Sequence, residues 1–150
     1  MPRFRRAWLT ARALSWSERR VLTRAWLLLA AVAAGMRILG FRRVHNMVLP
    51  RNDASTDGTD KGAAQSVARL VDAAARWSPA PANCLVRSLV LCNMLRRLGL
   101  AADIHIGVVH PDRNFTAHAW VEHRGIALAD AGVLATQYIP FDTPASHWSS

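Results

Sequence analysis

The chain has 150 residues, of which 51% are apolar, so it is long and apolar enough for one compact domain with a core and too short for several. The formal net charge of +9 arises entirely in residues 1–50, which carry ten arginines and one acid, whereas residues 51–150 carry nine charges of each sign. This asymmetry indicates either a solvated arginine-rich face or a contact with an acidic partner, and charge alone does not name that partner.

Residues 1–50 are predicted to form an arginine-rich helical segment. The stretch SWSERRVLTRAWLLLAAVAAGMRILG is typical of a helix that Ser15 or Ser17 caps and that Gly35 or Gly40 ends or breaks. Its apolar run has twelve residues, fewer than the about 20 that span a bilayer, so we predict a buried helix and no membrane span. A signal peptide is the alternative, but the arginines just beyond the possible cleavage site disfavour export.

A polar loop is predicted at 51–62, and residues 63–150 are predicted to hold the core of what is overall a single domain. The core begins with a helix in AAQSVARLVDAAARW, where apolar residues recur at helical spacing. A second helix follows in NCLVRSLVLCNMLRRLG, with Asn83 as its expected N-cap and Gly99 just past its end. The apolar stripe of this second helix consists of Leu85, Leu89, Cys92 and Leu95.

After Gly99 the hydrophobic period changes to two, which is typical of strands. ADIHIGVV, FTAHAWVE and IALAD predict three strands, joined by turns at HPDRN and HRG into an antiparallel meander. In the middle strand, Thr116, His118, Trp120 and Glu122 share one face. The predicted fold class is therefore α+β, with helices first and the meander after them.

The two cysteines, Cys84 and Cys92, are predicted to have different roles. On one helix they lie about 12 Å apart along the axis, too far for a disulfide, and no zinc-ligand spacing is visible. Free thiols fit a reducing cytoplasm, where we expect the protein to be. Cys92 lies on the apolar stripe and is predicted to be structural, whereas Cys84 lies in the first turn, where the helix dipole favours a thiolate. His105, His110 and His123 are expected on loops or strand surfaces, and no metal site is expected.

His118 and Asp130 are candidates for a hydrogen-bonded pair. If His123, Arg124 and Gly125 form a three-residue hairpin loop, residues whose numbers sum to 248 lie opposite each other. His118 and Asp130 would then be directly opposed, with Cβ atoms about 4.5–5.5 Å apart. A two-residue loop would shift the register by one and remove this opposition.

A thiol at a helix start, an imidazole and a carboxylate suggest a nucleophile, a base and an orienting group in Cys84, His118 and Asp130. The backbone N–H of Cys84 is the expected oxyanion donor, and the side chain of Asn83 is a candidate second donor. Trp120 either walls this site or packs. For each of these residues, packing alone is the competing interpretation.

Four short motifs occur between about residues 80 and 131. They are Cys-Leu-x-Arg-Ser-Leu from Cys84, Leu-Arg-Arg-x-Gly at the helix end, Ile-Gly-Val in the first strand and Ala-His-Ala-Trp-Val-Glu in the second, and Asp130 follows them. Together they resemble the leader peptidases of lasso-peptide biosynthesis, which are transglutaminase-like cysteine proteases. The arginine-rich N-terminal helices and GFRR are similar to those of stand-alone members of that family.

This resemblance implies a papain-like core in which the helix of Cys84 packs on the meander. It implies that Cys84 is the nucleophile, His118 the base and Asp130 the orienting group, that no cofactor is needed, and that the substrate is the leader of a ribosomally made precursor. It also implies two partners, a separate leader-recognition protein, for which this chain has no room, and the ATP-dependent lasso cyclase.

The basic N-terminal segment is the candidate surface for these partners. Arg5, Arg6, Arg19 and Arg20 are expected to bind the recognition protein, the leader or the cyclase, because the charge excess is confined to this part of the chain.

Three other functions stay open at this point. A transglutaminase-like acyltransferase would use the same triad with an amine as acceptor. A non-catalytic leader-binding module would keep the fold without the chemistry. A basic nucleic-acid binder is the least favoured of the three, because no recognition helix or stacking-aromatic motif is present.

Overall fold

The computed structural model describes residues 15–49, 61–78, 82–109, 116–128 and 139–140. Four helices come first along the chain and are followed by strands, so the fold is α+β as predicted. The helices are α1 (Trp16–Ile38), α2 (Phe41–Val48), α3 (Lys61–Arg76) and α4 (Cys84–Arg97). The strands are β1 (Asp103–Val109), β2 (Thr116–His123), β3 (Ile126–Leu128) and β4 (Ile139–Pro140).

Helix α1 begins with a capping box. The Ser15 hydroxyl accepts a hydrogen bond from the backbone N–H of Glu18, and the Glu18 carboxylate accepts one from the backbone N–H of Ser15 at 2.7 Å. That backbone bond, followed by the bond from the Ser15 hydroxyl, lowers the pKa of Glu18. Gly40, with φ +76°, separates α1 from α2, whereas Gly35 stays helical and lets Val44 of α2 approach closely.

Helix α1 buries one stripe against α3 and α4 and leaves its other face in contact with solvent. The buried stripe consists of Ala25, Leu29, Val32 and Ala33. Within the described part of the chain, Trp16–Ile38 is also the one helix whose length and apolar composition would let it cross a membrane, with 22% of its most apolar window buried. The helix is therefore longer and more exposed than the twelve-residue buried run that the sequence suggested.

Helix α4 is the centre of the molecule. It contacts α1, α2 and α3 on its helical side and β1 and β2 on the other, so it is buried nearly all round rather than along one stripe. Asn83 caps it as predicted, since its Oδ1 accepts a hydrogen bond from the N–H of Val86 at 2.9 Å. At the other end, Arg96 donates from Nε to the carbonyl of Ala102 at 2.9 Å, which ties the helix to the start of β1.

The sheet has the order β3-β2-β1-β4, so the predicted meander is confirmed and a two-residue strand is added at the free edge of β1. The core face of the sheet carries Ile104, Val121 and Leu128, which are opposite one another in the register and belong to the same cluster as α1, α3 and α4. Helix α4 packs on β2 along this cluster, which places the start of the helix beside the middle strand.

The predicted three-residue hairpin loop is wrong. His123 pairs with Ile126, so the loop between β2 and β3 contains Arg124 and Gly125 alone, both with positive φ (53° and 74°). Opposite residues in this hairpin sum to 249 rather than 248, and the argument that opposed His118 and Asp130 directly no longer holds.

The predicted boundaries at 50 and 62 meet the structure only in part. Helix α3 already begins at Lys61, so the last two residues of the predicted polar loop are helical. The rest of that loop, 51–60, lies outside the described residues. The division into an N-terminal segment and a core stays a prediction.

Candidate active site

Cys84 is the first residue of α4 and is half-buried. Its backbone N–H belongs to the first turn, where helical geometry provides no intrahelical acceptor. Asn83 satisfies the N–H of Val86, two positions further on. The thiol therefore lies at the positive end of the helix dipole, in the position that the sequence predicted.

Cys84 and His118 line the same small cavity, of about 30 Å³, between the start of α4 and strand β2. Helix α4 contributes Cys84, and β2 contributes His118 with the three residues that follow it. The structure thus brings together two of the three residues predicted for catalysis, one from a helix start and one from a strand 34 positions later in the chain. A thiol and an imidazole in one partly enclosed cavity are the groups that nucleophilic acyl transfer requires.

The cavity wall also holds an ion pair that the sequence analysis did not single out. Arg87, one helical turn beyond Cys84, pairs through its guanidinium with Asp72 of α3, and both residues line the cavity. The motif Cys-Leu-x-Arg pointed to Arg87, because the i,i+3 spacing puts it on the same face as Cys84. Nothing in the sequence marked Asp72, because its partner lies fifteen positions away on another helix.

His118 has a glycine as its cross-strand neighbour, since Gly107 of β1 is opposite it in the register. Directly opposed residues share a face of the sheet, so no side chain from β1 stands beside the imidazole at that point. We infer that this glycine leaves the room in which a substrate backbone can pass His118.

Trp120 lines the cavity and is also anchored from behind. Its Nε1–H donates to Oε1 of Glu122 at 2.9 Å, and its ring stacks on His105 with centroids 5.9 Å apart. His105 Nε2 lies 3.5 Å from the other oxygen of Glu122. Glu122 is therefore a partner of two rings rather than the solvated strand residue that we expected. Trp120 is both a packing residue and a wall of the cavity.

His123 corrects a second prediction, because it is buried rather than on the surface, with 1% of its area exposed. Its Nδ1–H donates to the carbonyl of Ala101 at 2.5 Å. Its Nε2 has no hydrogen-bond partner among the described residues. The two-residue loop explains the burial, since it keeps His123 in the last pair of β2 on the core face with Val121.

Several predicted residues are not tested by this geometry. Asp130, Arg5, Arg6 and His110 lie outside the described residues. Asn83 uses its carboxamide oxygen as a helix cap, and its role as an oxyanion donor stays a prediction. Within the residues that the structure describes, no cluster of three or more His, Cys, Asp or Glu side chains is placed to hold a metal ion.

Cys92 is structural, as predicted. It is fully buried, and its Sγ–H donates to the carbonyl of Ala102 at 3.3 Å. Burial raises the pKa of this thiol to about 12, against a smaller lowering by Arg96. The thiol is therefore protonated at neutral pH, and Cys92 is no competitor of Cys84 as a nucleophile.

The raised pKa of Cys92 predicts a loss of stability in alkali. The folded chain keeps this proton while the unfolded chain loses it, so the free energy of unfolding is unaffected below pH 9 and falls between pH 9 and pH 12. At about 1.4 kcal/mol per pH unit, the loss reaches about 4 kcal/mol at pH 12. Urea titrations at a series of pH values should show this loss.

The Cys92→Ser variant isolates the effect, because a hydroxyl can still donate to Ala102 but does not titrate in this range. Cys84→Ser is the matched control and should keep the alkaline loss. If wild type and Cys92→Ser lost stability in parallel between pH 9 and pH 12, the thiol would not be the group responsible.

Comparison with known protein families places this geometry in context. The family model described as the transglutaminase-like superfamily (Transglut_core3) matches residues 26–141, which include α2 to α4, the sheet, Cys84 and His118. The match begins inside α1, so most of the long N-terminal helix is part of the matched region. Searches of the curated proteins and of the solved structures gave no match.

Proposed function

Because this chain belongs to the transglutaminase-like superfamily, we propose that it is a cysteine peptidase that removes the leader from a ribosomally made lasso-peptide precursor. The observation that carries the proposal is the cavity shared by Cys84, at a helix start, and His118, on the strand packed against that helix. The superfamily match supports cysteine-based acyl chemistry. The choice of a lasso-peptide leader rests on the motifs from Cys84 to Asp130 and goes beyond the superfamily match.

In the proposed reaction, the Cys84 thiol gives its proton to His118 and attacks the carbonyl at the end of the leader. His118 then donates the proton to the departing amine, which becomes the first residue of the core peptide. The leader remains bound to Cys84 as a thioester. Water, deprotonated by His118, hydrolyses the thioester and restores the thiol.

The N–H of Cys84 is the proposed donor to the oxyanion. It lies in the first helical turn, where an N–H has no acceptor within the helix, and its dipole adds to that of the helix. A donor of this kind typically contributes about 10²- to 10³-fold to the rate.

Asp130 remains the proposed orienting group for His118. The support for it is now the motif position alone, since the observed hairpin register removed the geometric argument. An aspartate in this role holds the imidazole in the tautomer that can accept the thiol proton.

The proposed partners are a leader-recognition protein and the ATP-dependent cyclase, and the proposed compartment is the reducing cytoplasm. The two cysteines are free thiols, which agrees with that compartment. Arg19 and Arg20 are exposed on the first turns of α1 and, with Arg5 and Arg6, are the proposed contacts to a partner. The charge asymmetry of the chain supports this part of the proposal.

An acyltransferase is the alternative that the same site supports. Its first half-reaction is identical, and only the acceptor of the thioester differs, an amine in place of water. The cavity beside Cys84 is compatible with both.

One experiment tests both possibilities. The precursor peptide encoded beside this chain is incubated with the protein and the recognition protein, with and without an added primary amine, and the products are weighed by mass spectrometry. A peptidase gives a leader with a free carboxylate in both cases, whereas an acyltransferase gives the leader amide once amine is present. An uncleaved precursor that stays bound to the complex would overturn both in favour of a binding module.

A further inference from the structure

A second concave surface lies at the far end of α4 from Cys84. It is a groove of about 980 Å³ between the exposed side of α1 and the last turn of α4, lined along α1 from Trp16 to Ala31. Arg97 and Leu98 line its other side. Because α4 has 14 residues, this groove is about 20 Å along the helix axis from the nucleophile. It is therefore separate from the catalytic cavity.

The floor of the groove is apolar and exposed. Trp16, Leu27 and Leu98 have 74%, 57% and 58% of their areas in contact with solvent. Trp16, Leu27 and Ala31 repeat at helical spacing, so they form one continuous stripe of α1. Exposed apolar area of this extent, in a concave surface, is typical of a binding site rather than of an ordinary protein surface.

The rim of the groove is positively charged. Four arginines line it, Arg19, Arg20, Arg24 and Arg97, and of the described residues that line it none is acidic. The single acid of α1, Glu18, has its carboxylate bonded to Ser15 in the capping box. The groove thus presents an apolar floor between cations, which is complementary to an apolar ridge between anions.

Charge and shape discriminate among the possible occupants. The first 14 residues of this chain carry four arginines and no acid, and a second copy would bring the same arginines to the same place, so both would be repelled. A membrane is flat and fits a protruding surface better than a groove. A helix fits, because the groove follows α1 for 15 residues, or about 22 Å, which equals about four turns of a partner helix.

We propose that this groove binds an acidic amphipathic helix of a partner protein, with the apolar face of that helix against Leu27 and Leu98 and its carboxylates against Arg24 and Arg97. This is the helix-in-groove mode of recognition. The inference does not depend on the peptidase activity, because no residue of the catalytic cavity takes part.

The test uses a fluorescein-labelled synthetic peptide that forms an amphipathic helix with leucines on one face and glutamates beside them. Fluorescence anisotropy of this peptide with the full chain should show saturable binding. Leu27→Ser should weaken it about tenfold, because a buried leucine contact is lost, and Arg24→Gln should weaken it several-fold. Matched controls on the same helix are Ile38→Ser and Arg37→Gln, which are exposed beyond the groove and should change the affinity less than about twofold.

Other results would overturn the proposal. Equal affinity for a peptide of the same composition in scrambled order would show attraction to the arginines without use of the groove. Tighter binding to phosphatidylglycerol vesicles than to the peptide would identify a membrane surface. Self-association that Leu27→Ser abolishes, in the absence of peptide, would identify a second copy. Loss of leader cleavage with peptide binding intact would leave the groove standing and remove only the proposed function.

Discussion

Cys84→Ala is expected to abolish leader cleavage, with the single-turnover rate falling by about 10⁴-fold or more. Alanine removes the sulfur that forms the thioester and leaves the helix start and the Asn83 cap intact. The variant should still fold and still bind the precursor with its recognition protein. The measurement is the rate at which leader and core fragments appear by mass spectrometry, with circular dichroism as the check on folding.

The control for this loss is Cys92→Ser. Cys92 lies in the core, bonded to Ala102, so its replacement should lower stability but leave the rate per folded molecule close to that of the wild type. Cleavage by Cys84→Ala at the wild-type rate would show that the thiol is not the nucleophile. Equal loss in both variants, with both folded, would show that the effect is not specific to Cys84.

His118→Gln is expected to slow cleavage by about 10³- to 10⁴-fold, because glutamine can form hydrogen bonds in the cavity but cannot carry the thiol proton to the departing amine. The affinity for the precursor complex should be unchanged, since the loss lies in the chemical step. Single-turnover rates at saturating enzyme, measured beside the binding affinity, separate these two quantities.

His105→Gln is the matched control for His118→Gln. His105 lies on the neighbouring strand, opposite Trp120 in the register, and stacks on its ring. Its replacement loosens one wall of the cavity without touching the proton path, so we expect a loss of less than about tenfold. A wild-type rate in His118→Gln, or an equal loss in both variants, would remove His118 from the role of base.

The hairpin shows why a register is difficult to obtain from sequence. The stretch His-Arg-Gly contains one glycine, and a three-residue loop needs one left-handed residue, so the pattern favoured that loop. The structure instead puts Arg124 in the left-handed region beside Gly125. An arginine adopts this conformation at a cost of about 1–2 kcal/mol, which the pairing of β2 with β3 and the burial of His123 offset.

The contacts around the candidate site show the same limit. The Arg87–Asp72 ion pair joins two helices, and the set of His105, Trp120 and Glu122 joins two strands. Each residue looks ordinary in its own stretch of sequence. What each does is set by a partner that only packing brings near.

The sequence by itself determined the features that depend on neighbouring residues. These are the Ser15 and Asn83 caps, the helices of the core, the alternation of the strands, the burial of Cys92 and the position of Cys84 in a first helical turn. Caps and periodicity act over three or four residues, so they can be read along the chain. Only the tertiary structure decided that His118 shares a cavity with Cys84, that His123 is buried, and that an apolar groove remains between α1 and the end of α4. These features depend on contacts between distant segments, and many such arrangements are compatible with the same local pattern until the core packs into one of them.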